Sequence, residues 1–168
     1  MARFIFILCF ISFVSPSFAF ASQINRFEIK YLSYVYHAYD PDYDGTEHFG
    51  NQFFSIGYDL TPRHNFLVGT FKNSQDNRCF ATGLDYVWAN FNNGWRFKGS
   101  YLYAGEFFFD DFSSCGDEGV YSKVKKVTGV GFAPYINHYF EYSFSHSTAI
   151  AFGVLLPGIV VINFSTKF

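Results

Sequence analysis

From Phe27 onward the chain alternates. Phe27, Ile29, Tyr31, Ser33 and Val35 fall on one face of an extended segment, and Glu28, Lys30, Leu32, Tyr34 and Tyr36 fall on the other. Alternation with a period of two is the mark of a half-buried strand. It returns in Phe54, Ile56, Tyr58 and Leu60 against Ser55, Gly57 and Asp59, and again over about Asn65 to Phe71. Phe80, Thr82, Leu84, Tyr86 and Trp88 then oppose Ala81, Gly83, Asp85 and Val87. Trp95, Phe97, Gly99, Tyr101 and Tyr103 oppose Arg96, Lys98, Ser100, Leu102 and Ala104. Two or three strands are expected between Val127 and His146, the clearest being Tyr135 to Phe144. Thr148 to Leu156, a Pro157-Gly158 break and Ile159 to Phe168 complete the pattern.

About eight strands result, joined by short and long connections in turn. Thr61-Pro62-Arg63-His64 and Asn92-Asn93-Gly94 read as tight turns. The stretches from His37 through Pro41 to His48, around Asn73-Ser74 and from Asp110 to about Lys126 read as long polar loops. Alternating short turns and long loops are the layout of an outer-membrane barrel. The terminal Phe168, in register with Phe164 and Ile162, resembles the C-terminal signature of bacterial outer-membrane proteins.

The N-terminus and the composition sharpen this. Residues 1–21 read as a secretory signal peptide: Arg3 is basic, Ile5 to Val14 is a short apolar run, and Ala19-Phe20-Ala21 is a small-x-small site. Residues 22–168 then form the barrel. Aromatic residues make up 24% of the chain and charged residues only 15%. The charged share is well below the ~25% usual for soluble domains, yet no later stretch has the ~20 apolar residues of a membrane helix. The expected fold is therefore all-β: an eight-stranded antiparallel transmembrane β-barrel of the bacterial outer membrane. A net charge of −2 gives no footing for nucleic acid. Cys79 and Cys115 remain after the signal and flank two of the long loops, so they can pair in an oxidising compartment. No metal-ligand spacing and no cofactor motif is present.

With the apolar face of each strand assigned to lipid, the opposite face points inward. Towards the periplasmic end it carries Glu28, Lys30, Asp59, Asp85, Arg96, Lys98, Glu141 and Lys167, four acids and four bases that can neutralise one another. A symmetric hairpin would set Asp85 against Lys98. Towards the external end the inward face turns apolar and small: Leu32, Ala81, Gly83, Leu102, Ala104, Ala149, Ala151, Gly153, Leu155, Ile159 and Val161. An outward-opening apolar pocket above a neutral plug is expected, with Gly83, Leu102, Ala151 and Gly153 as candidate binding residues. Small barrels also mix small and large inward residues simply to pack. Pro134 and Pro157 fall on adjacent strands and lack ladder donors, so the wall there should be weakly bonded.

Against this background His37-Ala38-Tyr39-Asp40 lies just after the first strand, and Phe71-Lys72-Asn73-Ser74 follows a few dozen residues on. With Gly57-Tyr58, His64-Asn65, Gly69, Pro134 and Leu155-Leu156-Pro157-Gly158, these segments resemble the lipid A palmitoyltransferases, outer-membrane acyltransferases of the PagP type. The resemblance implies an eight-stranded barrel whose outer half holds an acyl chain. It also implies transfer of a palmitoyl-like chain from a phospholipid donor to a lipid A acceptor, with lipid entering sideways where the wall is weak, near Pro134 and Pro157. By the same resemblance His37 is the candidate base, Ser74 a nucleophile or polariser, and Asn73, which stands where the family has Asp, a candidate oxyanion donor. A monomer is expected. Two other readings of the residues stay open. One is a non-enzymatic small barrel, structural or adhesive. The other is a lipid A deacylase, whose His-x-Ser is faintly similar to His146-Ser147.

Overall fold

A computed structural model describes residues 26–38, 48–155 and 158–168. The signal peptide at residues 1–21, Tyr39, Asp40 and Pro157 lie outside the described residues. Among the described residues nine strands run in chain order: β1 Phe27–His37, β2 His48–Phe49, β3 Phe54–Thr61, β4 His64–Lys72, β5 Arg78–Asn90, β6 Trp95–Gly105, β7 Phe132–Ser143, β8 Thr148–Leu155 and β9 Ile159–Lys167. Apart from the two-residue β2, which pairs only on β1, each strand hydrogen-bonds antiparallel to the next. β9 then returns to β1. Glu28 faces Lys167 and His37 faces Ile159 across that seam, so the sheet closes into an eight-stranded antiparallel barrel.

The turns at residues 61–64, 91–94 and 144–147 lie at one end. Phe27 and Phe168 also meet there, through Phe27 N–H to Phe168 O at 3.2 Å and Phe168 N–H to Phe27 O at 3.0 Å. The opposite end carries the long connections. No described helix is long and apolar enough to cross a membrane, which says nothing about strands. The outward residues of the wall are apolar: Phe54, Ile56, Leu60, Phe66, Val68, Ile136, Phe152 and Val154 are all exposed.

Several expectations need correction. The segment Asp110 to Lys126 is not an open loop. It holds a 3₁₀ turn at Asp110–Gly116 and a helix, α1, at Gly119–Thr128. Gly129, in the left-handed region at φ 81°, ends α1 and donates its N–H to Lys125 O at 2.8 Å. The stretch from Val127 to His146 contains one strand, β7, and not two or three.

In β1 the alternation breaks. Leu32 sits at φ 52° and is 71% exposed, although it was expected inside. Tyr34 and Tyr36, expected with it, also face out, whereas Ser33, Val35 and His37 are buried. The cause is one extra residue: Tyr31 pairs with Phe164 but Tyr34 pairs with Ile162, three steps on β1 against two on β9.

Ala149 and Ala151 belong to the charged half of the lumen, not to the open half. β8 rises from the turn at residues 144–147, and Ala151 pairs with Glu141. Their small side chains leave room for the long charged ones beside them.

Candidate functional site

The lumen has two chemically distinct halves. In the half towards the tight turns, all eight expected charges are paired. Lys30 pairs with Asp85, Arg96 and Lys98 with Glu141, and Lys167 with Asp59 at 2.7 Å. Lys98 also lies 3.9 Å from Glu28. Four acids against four bases leave no net charge. The pairing of Asp85 with Lys98 does not occur. The turn sets Asn90 opposite Arg96 and Ala89 opposite Phe97, and past a one-residue bulge between Val87 and Ala89 Lys98 falls opposite Val87 and Asp85 opposite Ser100. Asp85 therefore takes Lys30 from across the lumen, with Tyr139 Oη donating to Oδ2 at 2.9 Å. Gly153 packs beside Tyr139, where any Cβ would strike the Tyr139 side chain. It serves the plug by letting that ring approach.

The other half holds an apolar cavity of about 520 Å³, the size of a small-molecule pocket. Its walls are Leu102, Phe71, Ala81, Ala104 and Tyr135, with Val120 and Tyr121 of α1 over the mouth. Val35, Leu155, Ile159 and Val161 close it on the β1 and β9 side. Of the candidate residues, His37, Asn73, Ser74, Leu102 and Pro134 all line this one cavity. Gly83, Ala151 and Gly153 are not among its lining residues. Gly83 is wedged in the wall, where a Cβ would meet Tyr101 O and Leu102. A second hollow of about 560 Å³ lies on the outer wall against Phe80, Tyr103 and Phe108, and holds none of the candidate residues.

The polar groups gather at the mouth. His37 is the last residue of β1 and is buried. Asn73 opens the connection between β4 and β5. Its Oδ1 accepts N–H bonds from Gln75 at 3.0 Å and Asn77 at 2.9 Å, and its Nδ2 makes a long 3.5 Å contact to Cys115 O. Asn73 thus shapes the turn that carries Ser74, as Asn commonly does. An aspartate would accept the same two bonds but could not donate to Cys115 O. The donor Asn73 could offer to an oxyanion is the group now reaching Cys115 O.

Sequence reasoning missed Asn51, Phe53, Val120, Tyr121, Ala133 and Tyr135 as lining residues. Tyr121 belongs to a segment read as loop. Val35 stood on the lipid side of an unbroken alternation.

The lid is fastened at two points. Cys79 of β5 and Cys115 of the 3₁₀ turn form a disulfide, and both are fully buried. Lys125 of α1 pairs with Asp117 at 2.7 Å and with Glu106. Hydrogen bonds from its ammonium to Asp117 and Glu106 hold its pKa above the ordinary lysine value. Replacing Cys79 and Cys115 together by alanine is expected to cost about 3–4 kcal/mol, the chain-entropy value for a loop of this size. The two positions are 36 residues apart. Denaturant unfolding of the oxidised chain and the double variant measures this, and a difference below about 1 kcal/mol would contradict it.

The fold and the site together define a class: a closed eight-stranded β-barrel with a neutral ion-pair plug at one end and a lidded apolar cavity, polar at its mouth, at the other. No protein-family model and no curated protein sequence matches the chain.

Proposed function

We propose that this chain is an outer-membrane acyltransferase that moves a fatty, palmitoyl-like acyl chain from a phospholipid to lipid A. The observation that carries this reading is the cavity itself. A deep apolar well with His37, Asn73 and Ser74 together at its mouth suits an ester whose acyl chain is buried and whose carbonyl lies at the rim. The apolar outward wall supports a membrane setting, since lipid-facing strand residues alternate with luminal ones. The plug makes the barrel a poor channel, because its charges are paired across the lumen.

The chemistry follows from acyl transfer in general. His37 takes the proton from the acceptor hydroxyl as that oxygen bonds to the ester carbonyl carbon. The negative charge that develops on the carbonyl oxygen needs donors, and Ser74 Oγ and Asn73 Nδ2 are the groups in reach of the mouth. The carbon–oxygen bond to the donor's glycerol then breaks, and the proton on His37 passes to that leaving oxygen. One ester forms for each ester lost, and no cofactor is required.

Entry for the donor is supported by the wall. β7 pairs with β6 along its whole length, but with β8 only from Asn137–Leu155 downward. The upper part of β7, which includes Pro134, thus has no β8 partner among the described residues. Proline offers no donor there. A lipid tail could pass sideways through such a gap.

A second reading, a barrel without enzymatic activity, is favoured by Asn73, whose side chain is occupied in shaping its own turn. Mass spectrometry of lipid A from cells with and without the gene separates the readings. A gain of one acyl chain is expected. No change would favour the non-enzymatic barrel, and loss of a chain would favour a deacylase.

A further inference from the structure

We propose that the outer wall carries a holding site for a phosphorylated lipid of the lipid A type: Lys72 and Arg78 at the rim take its phosphate, and the hollow below them takes an acyl chain. The site lies on the outside of the barrel, behind the wall that lines the cavity. In β5 and β6, Ala81, Leu102 and Ala104 are buried, so Phe80, Thr82 and Tyr103 alternate to the outside. These three, with Glu106, Phe107 and Phe108, bound the hollow of about 560 Å³. Phe107 stacks on Phe80 with ring centroids 4.2 Å apart, and Phe108 beside it is 79% exposed. The polar groups around the hollow are spent within the protein. Thr82 Oγ1 donates to Leu67 O at 3.1 Å, Tyr103 Oη donates to Glu106 O at 2.6 Å, and the Glu106 carboxylate takes Lys125 and the Gly131 N–H. The surface left to a ligand is apolar and continues the apolar outward wall.

The rim above the hollow is basic. Phe71 and Cys79 are buried, so alternation puts their neighbours Lys72 and Arg78 on the outer face, and these two are direct ladder partners. Side chains so opposed stand about 5 Å apart, and like charges at that distance repel unless an anion joins them. Arg78 stands one alternation above Phe80, about 7 Å along the strand. It donates to the neutral Gln52 Oε1 at 2.7 Å and meets no carboxylate among the described residues. Lys72 also borders the cavity mouth, and it pairs with Asp76 at 2.7 Å. The Asp76 side chain is 81% exposed, and so wet a pair gives way to a stronger anion. Two adjacent cations match a phosphate monoester, which carries about two negative charges at pH 7. A phosphodiester carries one. A phosphate monoester joined to acyl chains is the chemistry of lipid A, whereas the phosphate of a phospholipid donor is a diester. The holding site rests on the outer-membrane reading of the barrel and is independent of the reaction.

The test adds lipid A to the folded, oxidised barrel in a zwitterionic detergent, without any acyl donor, and counts bound lipid by native mass spectrometry. Arg78→Ala should weaken binding about tenfold or more, the loss of one charge-assisted hydrogen bond. Phe108→Ala should weaken it about tenfold through lost burial of the chain. Asp76→Asn should tighten it by about two- to fivefold, because a competing surface charge is gone. Lipid A stripped of its phosphates, and phosphatidylglycerol, should bind no better than intact lipid A binds Arg78→Ala. Heat-modifiable gel mobility checks that each variant is folded. Unchanged binding in Arg78→Ala, or phosphatidylglycerol bound as tightly as lipid A, would overturn the site. So would binding lost in His37→Ala but kept in Arg78→Ala, since the lipid would then sit at the cavity mouth. Arg78-dependent binding by a chain that transfers no acyl group would leave the site standing and sink the reaction instead.

Discussion

His37→Ala is expected to lower acyl transfer to lipid A by about 10²–10⁴-fold, the usual loss when a general base is removed, while the barrel stays folded. His37 is the last residue of β1, and its ladder partner Ile159 is held by backbone bonds that alanine would keep. Its imidazole lines the cavity mouth, and the plug that closes the barrel lies in the other half of the lumen. Ser74→Ala should lower transfer as strongly if its hydroxyl attacks the ester, and by about 10²–10³-fold if it only polarises the carbonyl. The size of that loss therefore assigns its role. Lipid A from cells expressing each variant, read by mass spectrometry beside a folded-barrel assay such as heat-modifiable gel mobility, is the measurement. Normal acylation by both variants would refute the site.

Why His37 was read as a loop residue, yet lies in the wall, is a question of phase. A strand's facing is legible only while alternation is unbroken, because one inserted residue exchanges the two faces. Leu32 carries no turn chemistry. Nothing in its own identity announces a left-handed residue, as a Gly or Asn would. Everything above it in β1 was therefore assigned to the wrong side.

The plug was legible in kind but not in pairing. Eight charges fell on one face with balanced signs, and burial requires that they meet partners. Which acid meets which base depends on register across the lumen, and the β5–β6 turn, which sets Asn90 opposite Arg96, leaves Lys98 opposite Val87 and not Asp85. The apolar half was legible in Leu102, Ala81 and Ala104, where β5 and β6 alternate cleanly. The lid was not. α1 has no buried residue and carries Lys123, Lys125 and Lys126, so its segment reads as a solvated loop even though Val120, Tyr121, Val124 and Val127 recur at helical spacing. The disulfide from the preceding 3₁₀ turn to β5, the pairs made by Lys125 and the packing of Tyr121 against the core hold it in place.

The same plug should dominate stability. Glu141→Ala is expected to destabilise the barrel by about 3–5 kcal/mol, the cost of breaking a buried ion pair from one side. Glu141 is fully buried and holds two cations, Arg96 and Lys98. Removing it leaves three acids against four bases in the plug. Lys98, itself fully buried, would keep as an ionic partner Glu28 at 3.9 Å, a distance too long for a hydrogen bond, beside the Tyr139 ring 5.6 Å away. Arg96 can escape part of the penalty, because its side chain is 26% exposed and can reach water. Arg96→Ala should therefore cost clearly less than Glu141→Ala, since Glu141 would still keep Lys98 at 3.0 Å. Glu141→Gln should fall between the two, for its amide oxygen can still accept from Lys98 but carries no charge. Urea unfolding of the three variants in lipid vesicles, followed by tryptophan fluorescence, gives the order. If Glu141→Ala cost no more than Arg96→Ala, then Lys98 would have water or another partner, and the plug could not be the sealed, charge-balanced floor on which the cavity rests.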